Sequence, residues 1–326
     1  MTFYKSIAVI GTVAAVAVFA LTQAPTLAGM NLHTSTDSAF NKYLAKYGKS
    51  YATKEEYAYR KSIFDRTASE MASHNSRNDV TWSVALNQFS DMTDAEIKRT
   101  LGGGIEGESR PHLDSHHQHH LEAAPTAGPI DWRNQMNPVK DQGACGSCWA
   151  FAAIGSLEGR YAIRYGKKQL LSEQQLVDCA KTSQGCNGGW SSKALQYLQQ
   201  AGGSMSSASY PYTARNGACR FNAGQVVAKV SGVNGVADPQ AALASGPIAI
   251  YVQAQGGFMS YGGGIYNGYC GQYDHAVTLV GYGTSGSVGY WIIRNSWGTG
   301  WGESGHIRVQ AGGNCKLTWD SYPNVQ

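Results

Sequence analysis

The stretch Gln142-Gly-Ala-Cys-Gly-Ser-Cys-Trp149 sets two cysteines three residues apart, with a glutamine six residues before the second and a tryptophan directly after it. Ala150 to Tyr161 reads as helix, and Gly166 after Arg164 and Tyr165 supplies a stop. Cys148 is therefore expected at a helix N-terminus, where unpaired backbone N–H groups carry about half a positive charge and favour a thiolate. A thiolate is a nucleophile, so the chemistry expected is covalent attack by sulfur. Such a nucleophile needs a base, a group that orients the base, and donors for the developing oxyanion. Of nine histidines, only His275 and His306 lie beyond residue 120. His275 follows Asp274 and opens a strand-like run, whereas His306, in Gly305-His-Ile-Arg-Val309, reads as a structural strand residue. Asn295 ends another strand-like run, in Arg294-Asn-Ser-Trp-Gly-Thr-Gly-Trp-Gly302. Adjacent strand ends put its amide against the imidazole and fix the tautomer, leaving the second ring nitrogen for sulfur. The Gln142 side-chain N–H next to the Cys148 backbone N–H offers an oxyanion pair.

The elements that must hold these groups follow from the rest of the chain. At 326 residues it is long enough for one large or two ordinary domains. Lysine plus arginine number 12 against 13 acids in residues 1–124 and 14 against 9 beyond, with no dense basic run, so nucleic acid is not an expected partner. Seven cysteines, all between Cys145 and Cys315, imply three bridges and one free thiol in an oxidising compartment, and their spacing leaves the pairing open. Residues 1–28 read as a secretory signal. Lys5 precedes the apolar run Ile7–Leu21, too short for a membrane span of roughly 20 residues, and Thr26-Leu-Ala28 is a cleavage site. In residues 29–100, Glu56, Arg60, Phe64, Thr67, Met71 and Asn75 fall on one helical face, and their polar members point to specific pairing. Residues 101–128 read as an exposed, protease-sensitive linker opened by Leu101-Gly-Gly-Gly104, in which His112, His116, His117, His119 and His120 are a pH-sensitive patch, a loose metal site or only solvated linker. From residue 129 the composition is that of a compact domain, with helices first (one opened by a Ser172–Gln175 capping box, one over Ser191–Gln200) and strand-like runs afterwards. That order predicts an α+β, two-lobed fold.

Gln142, Cys145-Gly-Ser-Cys-Trp149, Gly185-Cys-Asn-Gly-Gly189, Asp274-His-Ala-Val277 and Asn295 to Gly302 resemble, in the same order, the motifs of the papain-like cysteine proteases, nearest the cathepsin L branch. The resemblance runs from about Glu56 to Tyr322. It implies a helical N-terminal lobe and a β-barrel-like C-terminal lobe behind a helical inhibitory propeptide. In that family's terms Cys148 is the nucleophile paired with His275, Asn295 orients the histidine, Gln142 and the Cys148 N–H bind the oxyanion, and Trp297 shields the Asn295–His275 bond. The bridges implied are Cys145–Cys186, Cys179–Cys219 and Cys270–Cys315. Gly188 and Gly189 match the backbone that pairs with substrate, and Asp274 belongs to the same surface. The selectivity pocket maps to Trp190, Ser191, Tyr251, Ala276 and either Trp319 or Asp320 as its floor. Glu56, Arg60, Phe64 and Asn75, then Asn87, Phe89 and Asp91, match the two propeptide motifs, with Thr67, Met71 and Ala85 as departures. The activity implied is that of an endopeptidase made as a zymogen and released by acid.

No cofactor and no metal are expected. The partners implied are protein and peptide substrates, the chain's own propeptide and cystatin-like inhibitors, with a monomer as the expected state, no nucleic acid and no stable membrane anchor. The expected location is the secretory pathway, in a lysosome or other acidic vesicle or outside the cell. A thiol–disulfide oxidoreductase using Cys145 and Cys148 needs neither His275 nor Asn295 and belongs with a βαβ pattern that is lacking here. A zinc module lacks a second close cysteine pair. An inactive family member acting as a binding protein is at odds with the retention of Cys148, His275, Asn295 and Gln142.

Overall fold

The computed structural model describes residues 27–105, 107–111 and 128–326. Residues 1–26 of the expected signal and the His112–His120 cluster lie outside the described residues. Helix α1 (Leu27–Tyr47), which begins at the last two residues of the expected signal, forms a unit by itself. Among the described residues no helix is long and apolar enough to cross a membrane.

From Ser50 onward the chain is a second unit. It opens with α2 (Lys54–Asn75), whose start is set by the Thr53 side chain accepting from the Glu56 N–H at 3.1 Å. Glu55 and Glu56 lie at the positive end of this helix, and Ile63, Phe64 and Met71 form its buried side. The polar members of the predicted face make specific bonds. Arg60 Nη2 donates to Glu96 Oε1 at 2.6 Å, and Asn75 exchanges two 2.9 Å bonds with the backbone of Val84. Strand β1 (Trp82–Val84) and helix α3 (Asp94–Thr100), the latter held by a Thr93–Glu96 capping box, complete this region.

Beyond it come β2 (Ile130–Asp131), α4 (Cys148–Tyr165), α5 (Glu173–Cys179), α6 (Ser191–Ala201), β3 (Ser204–Met205), β4 (Val226–Ala228), β5 (Val230–Gly235), α7 (Pro239–Ala244), β6 (Ile248–Val252), β7 (Tyr261–Tyr266), β8 (His275–Ser285), β9 (Val288–Arg294), β10 (His306–Gln310) and β11 (Thr318–Val325). Helices before strands is the predicted α+β order. The capping box at α5 is only half formed. Ser172 Oγ accepts from the Gln175 N–H, but the Gln175 side chain serves Gly203 and Met205.

The main sheet runs β1-β7-β10-β9-β8-β6-β11-β5, with β2 on β8. The β-rich lobe is therefore an open sheet rather than a closed barrel, because its end strands β1 and β5 do not pair. Strand β6 is buried along its whole length because both its faces are covered. Ile248, Ile250 and Val252 join the core of Leu279, Trp291 and Ile307, while Ala249 and Tyr251 join the core around Trp149, Leu157 and Leu195. The two lobes thus meet along α4, which is rich in alanine and glycine and buried over most of its circumference.

One buried charge cluster ties α4 to α5. Lys140 Nζ donates to Glu158 Oε1 at 2.7 Å, to Glu173 Oε1 at 2.6 Å and to the Leu171 carbonyl at 3.1 Å. Removing the cation strands two buried carboxylates, so Lys140→Met is expected to destabilise the folded protein by about 3–5 kcal/mol. A denaturant midpoint equal to that of the parent would contradict this.

Candidate active site

Cys148 is the first residue of α4 and the free cysteine among the seven. Its Sγ accepts from the Gly102 N–H at 3.3 Å and from the Ala276 N–H at 3.4 Å. Burial pushes its thiol up to about 12. Burial thus works against the thiolate that the helix end favours. His275 opens β8 and Asn295 directly follows the neighbouring β9, whose Arg294 lies opposite Thr278. His275 Nε2 donates to Asn295 Oδ1 at 2.8 Å, which leaves Nδ1 free of any hydrogen bond. Burial pushes this imidazole down to about 4. Trp297 stacks on it with ring centroids 4.6 Å apart. His306 lies on β10, bonded locally to the Ser304 carbonyl.

Gln142 is fully buried, and Ser296 Oγ donates to its Oε1 at 2.6 Å, which fixes the amide. Its Nε2 donates at 2.8 Å both to the Cys145 carbonyl and to the carbonyl of Thr100, the last residue of α3. Leu101–Gly104, expected to open an exposed linker, is instead bonded into the cleft. The Gly103 N–H donates to the Asp274 carbonyl at 2.9 Å and the Gly104 N–H to the Gly189 carbonyl at 3.0 Å, while the Gly189 N–H donates to the Gly102 carbonyl at 3.2 Å. Gly189 thus does pair with extended backbone, and that backbone is the chain's own. Close approach explains the glycine run. A Cβ on Gly102 would lie 1.8 Å from the Gly146 carbonyl oxygen. Gly188, at φ +119°, would place a Cβ 2.2 Å from the Gly104 oxygen. Gly102→Ala is therefore expected to weaken this cover by about 1–3 kcal/mol, so that unprocessed protein shows thiol-dependent peptide hydrolysis. Gly128, with open space around it, is the control. Equal latency of the two alanine variants would contradict this.

Trp190, Tyr251 and Ala276 share one apolar cluster, joined at its edge by Tyr273. Tyr273 went unnoticed in the sequence, yet its ring lies 6.2 Å from Trp190 and 5.5 Å from Tyr251. The Tyr251 hydroxyl accepts from the Ser191 N–H at 2.7 Å. The two candidate floor residues lie in different surroundings. Trp319 packs on Trp291 at 5.3 Å. Asp320 is the extra residue of a bulge, since Trp319 lies opposite Ile250 and Ser321 opposite Ala249. A bulge re-aims a side chain, and the Asp320 carboxylate is buried, its Oδ2 accepting from Ser321 Oγ at 2.9 Å. Burial raises its carboxyl to about 6. The Asp274 carboxylate is turned away to brace a loop, accepting from the Ala254 N–H and from Gln255 Nε2 at 2.8 Å each.

The second propeptide motif sits against the same site. Asn87 Nδ2 donates to the Met259 carbonyl at 2.8 Å, and the Phe89 ring meets Trp297 edge-on at 4.9 Å. Asp91 accepts from the Tyr51 hydroxyl. Disulfides join Cys145 to Cys186, Cys179 to Cys219 and Cys270 to Cys315. The first ties the start of α4 to the loop that carries Gly188.

A thiol cleft between two lobes, closed over by an earlier stretch of the same chain, defines a proenzyme of the cysteine protease class. The chain belongs to the papain family of cysteine proteases. The model of that family matches residues 126–324, and the cathepsin propeptide inhibitor domain (I29) matches residues 40–97. It is 38% identical over 312 residues to digestive cysteine proteinase 1 of Homarus americanus, covering 89% of this chain and 96% of that protein. Among solved structures it is similar to the digestive procathepsin L2 proteinase from Tenebrio molitor larval midgut, with TM-score 0.78, 31% identity and coverage of 89% of this chain and 99% of that one. It is also similar to the recombinant stem bromelain precursor, with TM-score 0.77, 36% identity and the same coverage.

Proposed function

We propose that this papain-family zymogen is a cysteine endopeptidase in which Cys148 attacks the scissile carbonyl as half of a thiolate–imidazolium pair with His275. The observation that carries this reading is the occupancy of the cleft. Gln142 Nε2 is bonded to the Thr100 carbonyl and the Cys148 sulfur to the Gly102 N–H, so backbone lies where a substrate's would. With the cover removed, water reaches the sulfur and the imidazole, and the energetic preference for neutral forms is lost. Asn295 then holds Nε2 so that Nδ1 faces the thiol. Attack forms a tetrahedral adduct whose oxyanion accepts from Gln142 Nε2 and the Cys148 N–H. His275 gives its proton to the leaving amine, a thioester remains, and His275 then takes a proton from the water that hydrolyses it.

Residues 1–28 act as the signal that directs the chain to the secretory pathway, towards an acidic vesicle or the exterior. Residues 29–100 are the inhibitory propeptide. Acid releases it, and cleavage falls before Ile130. The Arg60–Glu96 pair is not the trigger. Arg60 holds the Glu96 carboxyl down at about 2, so its contribution is complete above the ordinary carboxylate range and is lost only as pH falls towards that value. Asp320 as the pocket floor favours a basic residue two positions before the scissile bond.

The thiol tests the covered state. In unprocessed protein its alkylation is expected to be slow near neutrality and to rise about tenfold per pH unit on the way to 12, because the thiolate fraction does. After processing, alkylation at about pH 6 is expected to be fast and nearly independent of pH. Equal rates before and after processing would overturn the reading.

A further inference from the structure

One hydroxyl reaches both segments that carry the oxyanion donors. Tyr212 belongs to Tyr210-Pro-Tyr212, on the loop between β3 and β4. Its Oη donates to the Gln142 main-chain carbonyl at 2.8 Å, and the same oxygen lies 2.6 Å from Ser147 Oγ. A phenol has one proton to give. With that proton on the Gln142 carbonyl, the shorter bond is donated by Ser147. Ser147 is the N-cap of α4 and directly precedes Cys148. A serine there ordinarily accepts from an N–H of the first turn, yet this side chain makes no capping bond. It is turned to Tyr212 instead.

The phenol is itself held firmly. Its ring meets Phe151 of α4 edge-on at 5.0 Å. The Thr213 N–H donates to Gln174 Oε1 at 2.8 Å, and Ser172 Oγ donates to the Tyr210 carbonyl at 2.7 Å, so α5 clamps the loop on both sides of Tyr212. Burial raises the phenol above its ordinary range, so it keeps its proton at acid and neutral pH. On the other side of Gln142, the main-chain N–H donates to the Ser296 carbonyl at 2.9 Å and Oε1 accepts from Ser296 Oγ. Ser296 therefore fixes the amide, and Tyr212 ties the main chain that carries it to the start of α4.

We propose that Tyr212 is a positioning residue for the oxyanion site, its hydroxyl setting the separation between Gln142 Nε2 and the Cys148 N–H. This role rests on the protease reading and adds to it a residue that acts through the two donors rather than on the substrate.

Tyr212→Phe keeps the ring on Phe151 and removes only the oxygen. In processed enzyme it is expected to lower kcat on paired Phe-Arg and Arg-Arg fluorogenic peptides by about 10–100-fold, the scale of a small misplacement of catalytic groups, with KM nearly unchanged. Alkylation of Cys148 by iodoacetamide forms the S–C bond as iodide leaves a saturated carbon, and no oxyanion develops, so its rate should match the parent's. The kcat losses of Tyr212→Phe and Gln142→Ala should combine to less than their product, because both act at one site. Tyr210→Phe, which removes a buried hydroxyl donating to Asp178 Oδ2 at 2.7 Å, controls for lost stability and should keep the parent kcat. A Tyr212→Phe kcat equal to the parent's would overturn the role. So would kcat and alkylation falling together, losses that multiply in the double variant, or an equal kcat loss in Tyr210→Phe. Each of these leaves the protease reading in place, whereas absence of all peptide hydrolysis in processed parent would overturn that reading and this role with it.

Discussion

Replacing Cys148 with Ala is expected to lower kcat of the processed protein by on the order of 10^5–10^6, the scale of removing a covalent nucleophile while leaving oxyanion donors and substrate contacts in place. Among the described residues no other thiol can take over its role. The other six cysteines are bonded in pairs, and Cys148 alone heads α4. Ala fits the same helix, and the Ala276 N–H loses only a weak sulfur acceptor. Peptide binding should accordingly survive, and KM measured on the residual activity, or binding of an unreactive peptide, should change little. A variant retaining more than about a hundredth of the parent kcat would remove Cys148 from the chemistry.

Gln142→Ala is expected to cost roughly 10^2–10^3 in kcat with a much smaller change in KM, as loss of one preorganised oxyanion donor does. The cost comes from geometry already built in the zymogen. Ser296 Oγ holds Gln142 Oε1 at 2.6 Å, so Nε2 points into the cleft before any substrate arrives. In this closed state it donates to the Thr100 carbonyl at 2.8 Å, which on the proposed mechanism stands in for the oxyanion. The same substitution should therefore loosen the pro-segment as well as slow the chemistry. A variant in which KM rises and kcat is unchanged would make Gln142 a ground-state contact only.

Local chemistry in the sequence reached far into the structure where one element carries its own signals. The α4 helix runs to the residue before Gly166, which caps it in the left-handed region at φ +67°. The β8, β9 and β10 runs are rich in branched and aromatic residues, and the first two carry His275 and Asn295 to their ends. What escaped notice depends on distant partners. Strand β7 reads Tyr-Gly-Gly-Gly-Ile-Tyr, a poor strand by composition. Its Gly264 is needed because a Cβ there would lie 2.4 Å from the Thr81 carbonyl oxygen of the chain leading into β1. Leu101–Gly104 shares that ambiguity. Glycines chosen for contact with Gly146 and His275 look like glycines chosen for flexibility. Trp319 and Asp320 look alike as floor candidates in the sequence because β11 contains Asp320 and Pro323, both unusual in strands, and because the bulge at Asp320 exists only through pairing with β6. Pro323 is tolerated since β6 pairs with β11 only as far as Ser321.

Whether this cysteine protease is held silent by its own chain across Cys148 is decided by incubating purified full-length protein across acid pH. Mass and hydrolysis of the paired Phe-Arg and Arg-Arg peptides are followed together, with Cys148→Ala alongside. Loss of the residues before Ile130 should coincide with the onset of thiol-dependent hydrolysis in the parent, and the Cys148→Ala protein should stay silent throughout. Removal of those residues with no hydrolysis of any peptide would contradict the claim and leave a processed binding protein in its place.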